Sequence, residues 1–462
     1  MGMLPRMTSP ERRLSRGIVA RYAVGSIGTG GFATLPGLVL VFYLTDTLGV
    51  TALLAGLVVT AAKVWDVLID PWIGDRSDHA LAVAGTRRTW MRVGALVLPV
   101  AFVVTFAAPA ALGPVVAGAW VMVAFLATAT AFSLFQVPYI ALPAELTDDY
   151  DARTRLLTWR VVVLSLAILL FGAGGPMLRR AGGDDEAIGY LVMAVVAGVV
   201  IGVGMLVATT TAPTGMVVEE RARRSLAAGY AEGLDALRRS RPFRLLLAGF
   251  LLQGLATGVM LAGANYVAVW VLHSEDALTF LFVALIGPAI LCAPLWGRLA
   301  RRIGKERSFV FASALFAVAS AALVGMLWAP GAWVYAPVAI AGAAYAGMQS
   351  LPMAMLPDVV AHDARTNGPG RAGTFGGVWT AGETTGMALG ATLLTIVLAA
   401  TGYLESVGSD VVAQPDAAVA GIALSFSVLP ALLVLLSLVP LLRYPLRRTD
   451  IDTPVPTEEI AR

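Results

Sequence analysis

The stretch that decides the fold spans residues 63–71 and reads Lys63-Val64-Trp65-Asp66-Val67-Leu68-Ile69-Asp70-Pro71. It places three charged side chains within an apolar run near 51–75, which is long enough to cross a bilayer as a helix. Asp66 and Asp70 are four residues apart and therefore share one helical face, with Lys63 one turn earlier. A carboxylate in lipid costs at least ~2.5–3.5 kcal/mol on insertion scales. The pair therefore predicts either a functional site or a structural ion-pair network inside a helical bundle.

The composition agrees with a protein surrounded by lipid. The chain has 462 residues, of which 58% are hydrophobic and 14% charged, with a mean hydropathy of +0.78. A soluble chain carries roughly a quarter charged residues. The net charge of +3 is too small to indicate nucleic-acid binding. A single cysteine, Cys292, excludes an intramolecular disulfide and a cysteine-based zinc site.

Hydropathy predicts an all-α polytopic membrane protein with twelve transmembrane helices in two bundles of six. The apolar runs lie near 20–45, 51–75, 90–109, 114–142, 156–177, 187–210, 243–272, 277–299, 307–328, 332–357, 372–401 and 419–442. The predicted parts are an N-terminal bundle (1–210, with a cytoplasmic tail), a cytoplasmic linker (211–241), a C-terminal bundle (242–443) and a cytoplasmic tail (444–462).

Loop charge predicts the orientation. Arginines cluster in the even-numbered connections and at both ends, whereas the odd connections carry few, and acids such as Asp46 are assigned to them. By the positive-inside rule both termini are cytoplasmic, and we expect a multi-pass protein of the cell inner membrane. A weak internal echo, Pro71-Trp72-Ile73-Gly74 against Pro294-Leu295-Trp296-Gly297, suggests parallel repeats with a substrate site between them.

Further polar residues lie at cavity depth or at the cytoplasmic helix ends. Glu383 is an acid inside the eleventh run, which could line the cavity or pair with an arginine, and Gln136 could line the cavity or bond a neighbouring helix. Asp78 and the arginines that follow it are read as a loop that latches helix ends together. No phosphate loop, nucleophile elbow or metal-like cluster occurs, so we expect no enzyme activity, no metal and no cofactor beyond a coupling ion, Na⁺ or H⁺.

Residues 63–71 resemble the second-helix signature of the glycoside–pentoside–hexuronide:cation symporters, the melibiose permease-like family of the major facilitator superfamily. Three further stretches are similar to that family: 137–149 followed by Arg153 and Arg155, 352–360 followed by Arg371, and 377–380 with Gly390 beyond it. The resemblance implies the major facilitator fold and alternating access. It also implies that Asp66, Asp70 and Ser133 bind the coupling cation.

The resemblance also implies a central substrate cavity, and the charged groups at the cytoplasmic helix ends are expected to form a latch. The expected cavity residues are Lys63, Gln136, Tyr139, Trp379, Glu383 and Thr384, and the expected latch residues are Asp78, Arg87, Arg88, Glu145, Arg153, Asp358 and Arg371. In sugar-carrying members, one acid on the first helix and one on the fourth hold the sugar. The corresponding positions here are Gly30 and Gln136, so the sugar-binding positions are altered while the cation positions are kept.

Three hypotheses follow. The first is cation-coupled symport, with Na⁺ or H⁺, of a small organic solute that is sugar-like or glycoside-like by resemblance. The second is proton-coupled efflux, or transport of lysolipid or hydrophobic compounds by the same superfamily fold. The third is a membrane sensor or scaffold, which the short central linker disfavours. The expected partners are the solute, a monovalent cation and the lipid bilayer, and we expect a monomer.

Overall fold

The computed structural model describes residues 14–109, 111, 113–147, 149–183, 185–215, 235–274, 276–367, 372–407 and 412–446. Within these residues the chain forms twelve long helices. Their bounds are α1 Arg16–Thr47, α2 Ala52–Ala84, α3 Arg88–Thr105, α4 Pro114–Leu146, α5 Tyr150–Arg179, α6 Glu186–Thr209, α7 Arg241–Val271, α8 Ala277–Ile303, α9 Lys305–Leu327, α10 Tyr335–Asn367, α11 Ala372–Ala400 and α12 Asp416–Leu442.

Eleven of these helices in the described part of the chain are long and apolar enough to cross a membrane. The remaining one, α10, has 33 residues but carries polar groups such as Gln349 and Ser350 near its middle. The predicted architecture of twelve helices in two sets of six is therefore confirmed. Helices α2 and α10 continue about ten residues beyond their apolar runs, because backbone hydrogen bonding persists until a stop signal is reached. In α2 that signal is Gly85, whose φ of +66° ends the helix.

The two halves repeat each other in detail. Both α1 and α7 end in a π-helical turn, Tyr43–Thr47 and Val267–Val271. In the N-terminal half, Arg87 before α3 pairs with Glu145 near the end of α4. In the C-terminal half, Lys305 at the start of α9 pairs with Asp358 towards the end of α10. The same turn and the same kind of ion pair at corresponding positions support the parallel repeat that the sequence suggested.

The two bundles are joined on the side away from the chain termini. The Thr45 hydroxyl lies 2.6 Å from the Tyr266 hydroxyl, and Tyr403 donates a hydrogen bond to Asp46. The backbone N–H of Ala52 donates to Glu405 Oε1 at 2.9 Å. Asp46 was assigned to a connection, but it lies in the last turn of α1 and is 4% exposed. Tertiary contacts help to hold that turn, because the Tyr403 hydroxyl of the other bundle bonds its carboxylate together with the Thr45 hydroxyl of the turn itself.

Small residues let α7 and α11 approach each other closely. A side chain on Gly390 would lie 2.7 Å from Cα of Gly258 and 2.5 Å from the carbonyl oxygen of Leu255. Membrane helices pack in this way because lipid supplies no hydrophobic force between them, so close van der Waals contact has to. This contact sets the distance between α7 and α11, and therefore the distance from Gln253 and Thr257 of α7 to Glu383 of α11.

Candidate functional site

The charged face of α2 is directed towards α4. The ammonium group of Lys63 lies 2.9 Å from Asp66 Oδ2, and the Asp66 side chain is 17% exposed. Ser133 of α4, which is buried, lies within hydrogen-bonding reach of the Asp70 carboxylate. The structure therefore brings together the three residues expected to hold a cation, with Lys63 at their edge.

Each acid in this cluster keeps a spare oxygen. Oδ1 of Asp66 and Oδ1 of Asp70 are buried, and neither has a hydrogen-bond partner within the described residues. A buried acceptor without a partner costs about 1–3 kcal/mol, and more when it is charged. Two such oxygens and one hydroxyl form an oxygen-rich site that suits a hard cation or a proton. The alternative of a complete structural ion-pair network, with an arginine for the second acid, is not what the described contacts show.

The two positions aligned with the family's sugar-binding acids are closed or occupied. A side chain on Gly30 would lie 2.7 Å from Cβ of Ala167, so α1 packs directly on α5 at this point. Gln136 accepts a hydrogen bond of 2.7 Å from the Thr29 hydroxyl. An acidic side chain at residue 30 would have no room, and Gln136 is engaged between α1 and α4.

Tyr139 is enclosed in the N-terminal bundle rather than presented to a cavity. Its side chain is fully buried, its hydroxyl donates to the carbonyl oxygen of Tyr22 at 2.7 Å, and its ring stacks on Tyr22. The sequence reading did not single out Arg160 of α5, whose guanidinium lies 5.6 Å from the Tyr139 ring centroid and whose Nε has no described partner. No local signal separated Arg160 from Arg153 and Arg155 in the preceding turns, because all three belong to one arginine-rich run of the sequence.

The polar residues of α11 separate into different environments. Trp379 is buried and stacks on Phe250 of α7 with a centroid separation of 4.3 Å. Thr384 is exposed, and its hydroxyl donates back to the carbonyl oxygen of Thr380. Glu383 lines a small pocket between α7, α10 and α11. Of these three, only Glu383 has a side chain in a pocket that could admit a ligand.

The expected latch residues form two separate groups in the two halves. Arg87 binds both Asp78 and Glu145 and donates to Ser77 at 2.8 Å. The Arg153 guanidinium instead donates to the carbonyl oxygen of Thr147 at 2.9 Å, and Nε of Arg88 has no described partner. Asp358 is bound by Lys305 at 2.5 Å, and Arg371 lies outside the described residues.

Comparison with known proteins agrees with this architecture. A family model described as MFS/sugar transport protein matches residues 21–448. The uncharacterized symporter sll1374 of Synechocystis is 25% identical over 93% of this chain and 94% of its own length. The glucuronide carrier protein homolog of Escherichia coli is 23% identical over 94% of both chains. The inward-facing, occupied structure of a bacterial homolog of the human lysosomal transporter Spinster matches with a TM-score of 0.67 at 14% identity, covering 95% of this chain and 98% of that one.

Proposed function

The chain belongs to the MFS/sugar transport protein family, and from that premise we propose that it is a secondary active transporter which couples Na⁺ or H⁺ to symport of a small organic solute. The observation that carries the proposal is the pair of partnerless oxygens on Asp66 and Asp70, beside Ser133. A cation or proton bound there would satisfy both oxygens and neutralise charge that the membrane otherwise penalises. Binding of the ion and binding of the solute would then favour the same conformation, which is the energetic basis of coupling.

Alternating access gives the two sides of the molecule different roles in this proposal. The hydrogen bonds from Tyr403 to Asp46 and from the Ala52 N–H to Glu405 close the side away from the termini. Arg87 and Lys305 each hold helix ends within a single bundle on the other side. We assign that other side to the cytoplasm from the arginine-rich connections and place the protein in the inner membrane as a monomer. In this assignment 211–241 is a cytoplasmic linker, and the N-terminal tail and 444–462 are also cytoplasmic.

The residues that hold the substrate differ from those that hold sugars in the melibiose permease-like family. A relative named as a glucuronide carrier homolog suggests a glycoside-like solute. The filled position at Gly30 and the engaged Gln136 argue that the hydroxyl groups of such a solute are held by other residues. Arg160, with a partnerless Nε, is one residue of the N-terminal bundle that could serve.

Transport in proteoliposomes tests the coupling. Radiolabelled glycosides and hexuronides would be offered with and without an inward Na⁺ or H⁺ gradient, and accumulation should require one of the gradients. Asp70→Asn should abolish accumulation while leaving exchange of internal for external solute in place, because only the ion site is changed. Asp416→Asn, at an exposed carboxylate at the start of α12, is the control and should behave as wild type. Gradient-driven accumulation that survives Asp70→Asn would exclude coupling through this pair.

A further inference from the structure

A second polar pocket lies in the C-terminal half, apart from the acids of α2. It is lined by Phe250, Gln253, Gly254 and Thr257 of α7, by Tyr345, Met348 and Gln349 of α10, and by Glu383 and Met387 of α11. The space is small, with room for about one group of the size of a water molecule. The pocket therefore suits the end of a ligand rather than a whole one.

The orientation of Gln253 in this pocket is fixed by its neighbours. Its Nε2 donates to Ser313 Oγ at 2.8 Å and to Ser437 Oγ at 3.1 Å. Both serine hydroxyls already donate to backbone carbonyls of their own helices, so each can only accept from Gln253. The amide nitrogen must therefore face the serines. The amide oxygen Oε1, on a side chain that is 2% exposed, is left without a partner in the described residues.

The pocket also holds two groups with hydrogens to donate, because the Tyr345 hydroxyl accepts from Gln349 Nε2 at 2.7 Å and keeps its own hydrogen, and that Nε2 has a second one. The remaining polar groups are acceptors. The Thr257 hydroxyl donates its hydrogen to the carbonyl oxygens of Gln253 and Gly254, which leaves the hydroxyl oxygen free to accept. Glu383 forms no ion pair with any described cation, and the structure shows no hydrogen bond to its carboxylate within those residues. A carboxylate, an amide oxygen and a hydroxyl oxygen thus lie around one space, and their lone pairs outnumber the hydrogens left on Tyr345 and Gln349. A ligand with several donors and a positive charge satisfies the surplus of acceptors.

We propose that the pocket around Glu383 is a binding subsite for a primary ammonium group. An ammonium offers three N–H donors and one positive charge, which match the three acceptor groups and the single carboxylate. Phe250, Met348 and Met387 complete the wall, and an aromatic ring and thioethers suit the carbon atoms next to an organic ammonium. A sodium ion would gain nothing from the apolar wall of the pocket, and its response to Glu383→Gln is measured below. A proton on Glu383 would supply only one donor.

The position of the subsite indicates what the ammonium belongs to. Glu383 lies about three turns into α11, and Arg160 lies about three turns into α5, its counterpart in the N-terminal half. A solute lying between them would have its amine at the C-terminal half and an anionic or polar end at the N-terminal half. This assignment to the cargo rests on the proposed transport function, whereas binding of an amine at Glu383 does not.

Thermal unfolding of the purified full chain in detergent, at fixed pH and ionic strength, tests the subsite with n-butylammonium as the probe and 1-butanol as its uncharged match. We expect n-butylammonium, and not 1-butanol, to raise the Tm in a saturable manner. Glu383→Gln keeps the shape of the side chain and removes its charge, so the half-saturating concentration should rise roughly tenfold or more. Thr384→Val, at the exposed neighbouring position, should respond as wild type.

Several results would overturn the subsite. These are equal stabilisation by both probes, no stabilisation by n-butylammonium, or an unchanged half-saturating concentration in Glu383→Gln. Loss of a Na⁺ response in Glu383→Gln would assign the pocket to the ion and also overturn it. A separate Na⁺ or pH response that disappears only in Asp70→Asn belongs to the coupling proposal, so the two proposals can fail independently.

Discussion

The N-terminal and C-terminal halves share a scaffold and differ in the charges they place inside it. Both halves end their first helix in a π turn and tie the start of the third helix to the end of the fourth. The N-terminal half, however, holds two acids and a lysine in the part of α2 between Ala52 and Gly74, whereas α8 carries no charged residue between Ala277 and Gly297. The C-terminal half places its one intramembrane acid, Glu383, on α11. The repeat therefore sets the helix packing, while each half has acquired its own polar site.

The largest expected difference concerns the two corresponding ion pairs. Arg87 and Glu145 are each 10% exposed in their side chains, whereas Lys305 is 40% exposed. Arg87→Ala leaves a buried carboxylate unpaired and should lower the free energy of unfolding by about 3–5 kcal/mol. Lys305→Ala should cost less than about 1 kcal/mol, because water already screens that pair. Unfolding in mixed micelles of increasing SDS fraction measures both. Equal losses would mean that the two pairs do not differ in burial as the structure indicates.

A smaller difference is expected at two corresponding glycines of α1 and α7. A Cβ at residue 30 would lie 2.7 Å from Cβ of Ala167, whereas one at Gly254 would lie 3.5 Å from Cα of Gly386, an ordinary contact. Gly30→Ala should therefore cost about 1–3 kcal/mol through overpacking. Gly254→Ala should leave the Tm unchanged or slightly raised, since alanine favours helix. Tm measured in the same detergent compares them, and a neutral Gly30→Ala would imply that residue 30 faces open space.

The smallest effect concerns one hydroxyl. Ser133→Ala removes the hydroxyl that lies beside Asp70, and the loss of one hydrogen-bonding group, about 0.5–1.5 kcal/mol, corresponds to a roughly two- to tenfold weaker affinity for the coupling ion. Ser350→Ala on α10 is the matched change in the other half, where the hydroxyl bonds only its own helix at Ala346, and it should have no effect. Titration of the Tm with Na⁺, and separately with pH, gives both affinities. An unchanged affinity in Ser133→Ala would remove Ser133 from the ion site.

The sequence predicted the features that depend on residues close together in the chain. Helix positions followed from uninterrupted apolar runs, and the cluster of Asp66 and Asp70 followed from a spacing of four within one helix. Ser133, which the family resemblance assigned to the ion site, lies beside Asp70, and its role in binding the ion stays a prediction. Tyr139 and Trp379 were expected to line the cavity and are buried in packing instead. Polarity or aromaticity alone does not tell which face of a helix a residue occupies when both faces are apolar.

Asp46 and Gln253 show most clearly what could not be predicted from the sequence. Asp46 reads as a loop acid, yet hydroxyl groups from Tyr403 and Thr45, one of them more than 350 residues away in the chain, hold it in the last turn of α1. Gln253 lies in an apolar run as Gln136 does, but the sequence does not show what distinguishes it, which is the pair of serines on other helices that fix which way its amide points.

Sequence alone determined that this chain forms two sets of six membrane helices, because the bilayer requires long apolar runs and penalises every charge placed within them. It also determined which acids are costly enough to indicate a site. Only the tertiary structure decided which polar atoms meet and which keep an unused hydrogen-bonding capacity. Hydrogen bonding depends on distance and direction between different helices, and the packing of small residues such as Gly30 and Gly390 sets both.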